Sequence, residues 1–489
     1  MENVASQKLI ADGAQKLTVE MAADQTSVDL TSQNRTVHQS FVLKGDSSLT
    51  SVKLAVDESA QWVNFTDSAV EVTDLAVTAT VSEAKNDKAI VSVGALDDLV
   101  NVSMAGAGAV DLRITTANAA LKTVDATANT GGVTVDLSKA DNAAFTGGAG
   151  ADMLTVNGSN VAHTLGAGDD TVVVKDVNFA SLAEGFSVDG GDGVDTLAMS
   201  AARAQQMTAK IFKAFTNFEV LGLEGGQGNP IDLNNFGDIN HVAILESLTT
   251  GESVINNMDS NGILEFNVDA GQGITVNVTD AGEAGHTTDV LNVKLSADGS
   301  INANTLTVAN VETINIEADD ADDNGNAVHT LNLAAAAAKT VKVTGDADLV
   351  LSGDFAAGAT IDISANTADV TFTAGVTGWP VDNENTLVKL EGFTAGDKIN
   401  IAGAGNVAFG AKVELGANST IQAYLAKAAQ NGDDIKAAWF EFAGDTYIVY
   451  DKNDDGMGAD DYIVKLAGTD YDLKGLSFVE GVLTLPEGA

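Results

Sequence analysis

Gly147-Gly148-Ala149-Gly150-Ala151-Asp152-Met153-Leu154-Thr155 is the stretch on which the fold of this chain turns. It fits the nine-residue pattern G-G-x-G-x-D-x-U-x, with U large and apolar. A second complete copy runs Gly190-Gly191-Asp192-Gly193-Val194-Asp195-Thr196-Leu197-Ala198. Between them, Leu165-Gly166-Ala167-Gly168-Asp169-Asp170-Thr171-Val172-Val173 matches at every diagnostic position except the first glycine. The spacing has a physical basis. Glycine adopts positive φ at no Cβ cost, so the turn can point several carbonyl oxygens inward. The Asp at the sixth position adds a carboxylate, and such an oxygen-rich set suits calcium. Leu154, Val172 and Leu197, at the eighth position, begin short strands that point into the interior.

One such turn offers too few ligands, so each ion must be shared between stacked turns. In a roll whose turns alternate sides, same-side turns lie two nine-residue units apart. Asp152 and Asp170, offset by eighteen residues, are therefore expected to flank one ion. A further 25 residues separate Asp170 from Asp195, which breaks the phase and predicts an inserted loop. The candidate ligands in these turns are Gly148, Gly150, Asp152, Gly166, Gly168, Asp170, Gly191, Gly193 and Asp195, with several Ca²⁺ ions bound.

The rest of the composition agrees with a β-rich chain. Of 489 residues, 49 are Gly and only 3 Pro, and hydrophobic residues at 45% suffice for a sizeable core. Acidic residues outnumber basic ones 69 to 25, giving a net charge of −44. Nucleic acid and anionic membranes would be repelled, while divalent cations would relieve the self-repulsion. Halophilic adaptation produces the same charge, so motif placement must separate the two readings. With no cysteine, disulfides and thiolate sites are excluded. No apolar run is long enough to span a membrane, and Met1 to Asp12 lack a basic start and apolar signal core. Export without an N-terminal signal peptide is expected.

Three regions emerge. Residues 1–120 show short alternating strands, as in Val52, Leu54, Val56 and Val77, Ala79, Val81, and predict a β-sandwich-like domain of antiparallel strands. Residues 121–385 repeat loosely: Lys122–Thr127 is echoed by Lys339–Thr344, Val135–Ser138 by Ile361–Ser364, and Asn217-Phe218-Glu219-Val220-Leu221 by Asn310-Val311-Glu312-Thr313-Ile314. Such echoes predict a parallel β-roll or solenoid of stacked coils. One amphipathic helix is expected after Ser200, with Ala204, Met207, Ile211 and Phe215 at helical spacing. Residues 386–489 predict a β-rich terminal domain with a helix near Ile421–Gln430. The fold class is all-β.

Two further loops have the front half of a D-x-[DN]-x-[DN]-G calcium loop: Asp320, Asp322 and Asn324 before Gly325, and Asp451, Asn453 and Asp455 before Gly456. Both lack the closing Glu; Tyr462 stands in its place in the second, where Asp460 or Asp461 could substitute. Solvated acidic turn and metal site are equally good readings of each.

The glycine motifs resemble the hemolysin-type calcium-binding repeats of RTX proteins. Their flanks, Leu121–Ser138 and the Asn-Phe-Glu-Val-Leu-type units, are similar to RTX surface-layer proteins of Gram-negative bacteria, as is the terminal stretch Gly392–Ile399, Ala437–Asp451 and Val464-Lys465-Leu466. The resemblance covers about residues 120–489. It implies type I secretion from an uncleaved C-terminal signal, folding on meeting extracellular calcium, and assembly with copies of itself into a cell-surface lattice. The run of complete repeats is shorter than in that group, and no helical N-terminal anchoring domain is evident.

Catalytic patterns are missing from the sequence. His38, His163, His241, His286 and His329 form no H-E-x-x-H, and no serine sits in G-x-S-x-G. A non-enzymatic, calcium-dependent, self-assembling extracellular protein is the expected function. An adhesin holding cell-surface polysaccharide, or a secreted enzyme with an unrecognised site, is the alternative.

Overall fold

A computed structural model describes residues 8–11, 16–20, 25–32, 39–44, 49–57, 62–65, 71–81, 88–175, 177–226, 230–249, 253–375, 381, 383–430, 437–453, 456–469 and 471–485. The chain is all-β, with stacked coils of parallel strands and three short α-helices. It divides into two compact units: residues 1–222 with 234–239, and residues 223–233 with 240–489.

In the first unit, successive strands alternate between two parallel sheets, so each strand pairs with the next but one. One sheet stacks Val28, Val52, Leu75, Val102, Val124 and Phe145 in register, all of them buried. The other stacks Val91, Leu112, Val135, Leu154, Val172 and Leu197, equally buried. Alternation puts every second residue inside, and coil-on-coil stacking joins those residues into continuous apolar ladders.

The antiparallel sandwich expected for residues 1–120 is corrected by these pairings. Ser27–Ser32 pairs in parallel with Ser51–Asp57, and Asn101–Gly106 with Thr123–Asn129, so the ladder crosses residue 120 without interruption. Alternation correctly buried Val52, Leu54, Val56, Val77 and Ala79, though Val81 is exposed; it is common to both strand directions and does not distinguish them. The single helix expected through Phe215 is also corrected. Ala201–Ala204 and Ala209–Phe212 are separate single turns, and the Thr208 hydroxyl starts the second by accepting the Ile211 N–H. Phe215 instead lies in a strand, paired with Val188.

The second unit repeats the construction. Gly262–Phe266, Val290–Ala297, Thr313–Asp320, Thr340–Gly345, Thr360–Asn366 and Lys389–Glu391 form one parallel ladder. Ser253–Met258, Ile274–Val278, Asn302–Val308, Val328–Ala334, Asp348–Asp354, Val370–Thr373 and Lys398–Asn400 form the other. Direction changes at the end. Asp445–Tyr450 pairs antiparallel with both Ala437–Phe442 and Tyr462–Ala467, and the last lies parallel to Lys389–Glu391. The hairpin turns on Ala443 and Gly444, both at positive φ. The helix Ile421–Ala428 packs Ile421 and Leu425 into a cluster with Phe440 and Tyr447, whose stacked rings lie 5.0 Å apart. The pairing of Tyr462–Ala467 with Lys389–Glu391 covers the edge that this parallel strand would otherwise leave bare.

Candidate functional site

The three glycine turns stack directly upon one another. Gly166, Gly168, Gly191 and Gly193 take positive φ. A Cβ on Gly166 would lie 2.3 Å from the Gly148 carbonyl oxygen, and one on Gly191 would lie 2.0 Å from that of Gly166. Glycine is thus required for close coil-on-coil approach as well as for the turn. Gly148 and Gly150 serve mainly the first purpose, since a Cβ there would meet Asn129 O at 2.0 Å and Gly132 N at 2.3 Å. The coils are joined through the turns: Ala167 N–H donates to Gly148 O, Asp192 N–H to Gly166 O and Gly168 N–H to Asp192 O, each at 2.9 Å.

Beside the glycines runs a column of acids. Asp152 Oδ1 accepts the N–H of Val133 at 2.6 Å, and its Oδ2 that of Gly148 at 3.0 Å. Asp170 Oδ1 accepts the Asp152 N–H at 2.6 Å, and Asp195 Oδ1 accepts the Asp170 N–H at 2.8 Å. Glu219 Oε2 ends the run on the Asp195 N–H at 2.8 Å. The three Asp residues are buried, at 3%, 1% and 0% exposure. Residues 177–186 lie in the expected inserted loop, yet the phase is restored after it: Thr171 pairs with Thr196 and Val172 with Leu197. The third copy therefore joins the same column.

Burial raises the carboxyls of Asp152 to about 6, Asp170 to about 7 and Asp195 to about 6, against the retained amide hydrogen bonds. Neighbouring Asp152, Asp195 and Asp169 raise Asp170 further. Asp170 Oδ2 and Asp195 Oδ2 are buried with no hydrogen-bond partner. Two stacked acids, each with an oxygen lacking any donor, suit a hard cation; the alternative is a retained proton. The orphaned oxygens belong to Asp170 and Asp195, whereas both Asp152 oxygens already accept amides. Among the described residues, no group of three or more His, Cys, Asp or Glu side chains is arranged to hold a metal. A cation in this column would thus take much of its coordination from main-chain oxygens.

The two Asp-rich loops share one closure. Asp320 Oδ2 accepts the Gly325 N–H at 2.6 Å, and Asp451 Oδ2 accepts the Gly456 N–H at 3.1 Å. Asp320 and Asp451 are buried. Asp322 and Asn324 are exposed and bond each other, Asn324 Nδ2 donating to Asp322 Oδ2 at 2.6 Å. Asn453 is exposed, and Asp455 lies outside the described residues. Asp461 is the acid that turns into the second loop, accepting the N–H groups of Lys452 and Gly458 at 2.9 and 2.6 Å; burial, with Asp451 and Asp460 nearby, raises its carboxyl.

Sequence reasoning named Asp152, Asp170 and Asp195 but set the last out of phase, and it missed Glu219 as the terminus of the column. The signal was present in the repeated unit Asn217-Phe218-Glu219, where Asn217 takes a φ of 55° and sets the Glu beneath the coil.

No helix among the described residues is long and apolar enough to cross a membrane. Scanned against models of protein families the chain matches none, and a search of curated proteins likewise finds no match.

Proposed function

We propose that this chain is a calcium-stabilised structural protein of the extracellular space, which associates with copies of itself into a lattice, sheet or filament. The observation that carries the reading is the pair of buried, unpartnered oxygens on Asp170 and Asp195 beside stacked glycine turns. Asp170 and Asp195 would hold the ion with main-chain oxygens of the turns. Calcium supplies the positive charge that lets these buried carboxyls ionise. The RTX-like motifs, the surface-layer-like flanks and the net charge of −44 support secretion by a type I route and assembly at a cell surface. Extracellular calcium modules bind with Kd of about 10⁻⁴ to 10⁻³ M, so a millimolar medium fills them and a micromolar cytosol leaves them empty. The sequence carries no catalytic pattern, and polysaccharide binding remains the adhesin alternative.

Electron microscopy of the purified chain before and after millimolar calcium tests this. Ordered sheets or filaments that disperse in EGTA are the expected result. Monodisperse particles in both conditions would overturn self-assembly and favour the adhesin.

A further inference from the structure

Four carboxylate oxygens among the described residues are buried without a hydrogen-bond partner: Asp170 Oδ2, Asp195 Oδ2, Asp289 Oδ2 and Asp320 Oδ1. Each belongs to an Asp whose own N–H donates to a carboxylate of a later coil. The acceptors are Asp195 at 2.8 Å, Glu219 at 2.8 Å, Glu312 at 3.1 Å and Asp346 at 2.9 Å respectively. Asp289 is the member that neither a glycine motif nor an Asp-rich loop marks.

Its setting reproduces that of Asp195. Both directly precede a strand, Thr196–Met199 or Val290–Ala297. Asp195 O accepts the N–H groups of Glu219 and Val220, and Asp289 O accepts that of Thr313, so in each case one later coil engages both the N–H and the carbonyl of the Asp. Glu219 and Glu312 each stand two residues after an Asn at positive φ, Asn217 at 55° and Asn310 at 58°. Asp289 is 95% buried, being only 5% exposed. Among the described residues no basic side chain is ion-paired with Asp289 or Glu312.

We propose that Asp289 and Glu312 hold a divalent cation, calcium by the hardness of the ligands, at a site outside the glycine-turn column. A carboxylate oxygen buried without donor or counter-charge, as Asp289 Oδ2 is, is disfavoured. The carboxyls of Asp289 and of Glu312, which accepts the Asp289 N–H, would supply both the charge and oxygen ligands for such an ion. Water and main-chain carbonyls complete the coordination. The site rests on the same chemistry as the glycine turns but on separate residues, so each stands or falls alone.

Calorimetric titration of calcium into the chelator-stripped full chain provides the test, with Asp289→Asn, Glu312→Gln and Asp170→Asn compared. Asp289→Asn and Glu312→Gln should each lose one bound ion, or weaken it at least about tenfold, and keep the ions that Asp170→Asn loses. Unchanged stoichiometry and affinity in both variants would overturn the proposal. Glu312→Gln, at a half-buried position, keeps the test open should Asp289→Asn fail to fold. Loss of an ion in Asp289→Asn but none in Asp170→Asn would sink the glycine-turn site and leave this one standing.

Discussion

Asp170 Oδ1 accepts the main-chain N–H of Asp152, one coil earlier, at 2.6 Å, while the other oxygen of the same carboxyl is buried with no partner. Half of that group is thus committed to holding coils together, and half is left for a proton or a cation. Several measurable consequences depend on which one takes it.

Calcium should stabilise the chain against heat. A site held at about ten times its Kd contributes roughly 1.4 kcal/mol, and several sites would approach the stability of an ordinary domain, about 5–15 kcal/mol. Thermal melts followed by circular dichroism should shift upward with calcium, and coincident melts in calcium and EGTA would contradict the proposed function.

Asp170→Asn should change sign with conditions. The folded-state carboxyl stands at about 7, above its ordinary 3.8, so the native state binds the proton more tightly than the unfolded chain. In chelator, wild-type stability from this group is present below about pH 4 and lost as pH rises through about 7. Asn keeps the oxygen that accepts the Asp152 N–H and has no charge to bury. The variant should therefore be the more stable of the two at pH 8 in EGTA and the less stable in calcium; urea midpoints of both proteins in both conditions would show whether the order inverts.

His163 predicts the opposite slope. Its Nδ1 accepts the Phe145 N–H at 3.2 Å, and burial lowers the imidazole from 6.5 to about 4. The unfolded chain then binds the proton more tightly, so stability falls as pH drops from about 6.5 through 4. His163→Gln should lack this component, and parallel pH profiles for variant and wild type would refute the assignment.

Gly191→Ala should be far more damaging than Gly285→Ala. Both positions have positive φ, 110° and 104°, which costs on the order of 1–3 kcal/mol for a side chain. Only at Gly191 would the new Cβ meet backbone, 2.0 Å from the Gly166 oxygen; around Gly285 nothing lies within 4 Å. Equal loss in thermal melts would mean that the turns do not stack as described.

Much of this molecule was legible without coordinates because the relevant signals are local. Alternation at Val52, Leu54 and Val56 depends on the two-residue period of a strand, and it correctly put those side chains inside. The Gly-x-Gly-x-Asp spacing depends on backbone freedom and a short carboxylate, and it marked Asp152, Asp170 and Asp195 as like turns while pairing only the first two. Strand direction was another matter: Val28 meets Val52 and Val52 meets Leu75 across whole coils, and no local pattern distinguishes that pairing from a hairpin. The return of Asp195 to register after its loop was equally beyond local reading, since loop length adds entropy only slowly and leaves the stacking free to choose the register. Which carboxyl ends the column, and which oxygens remain without donors, were decided only when distant coils closed on one another.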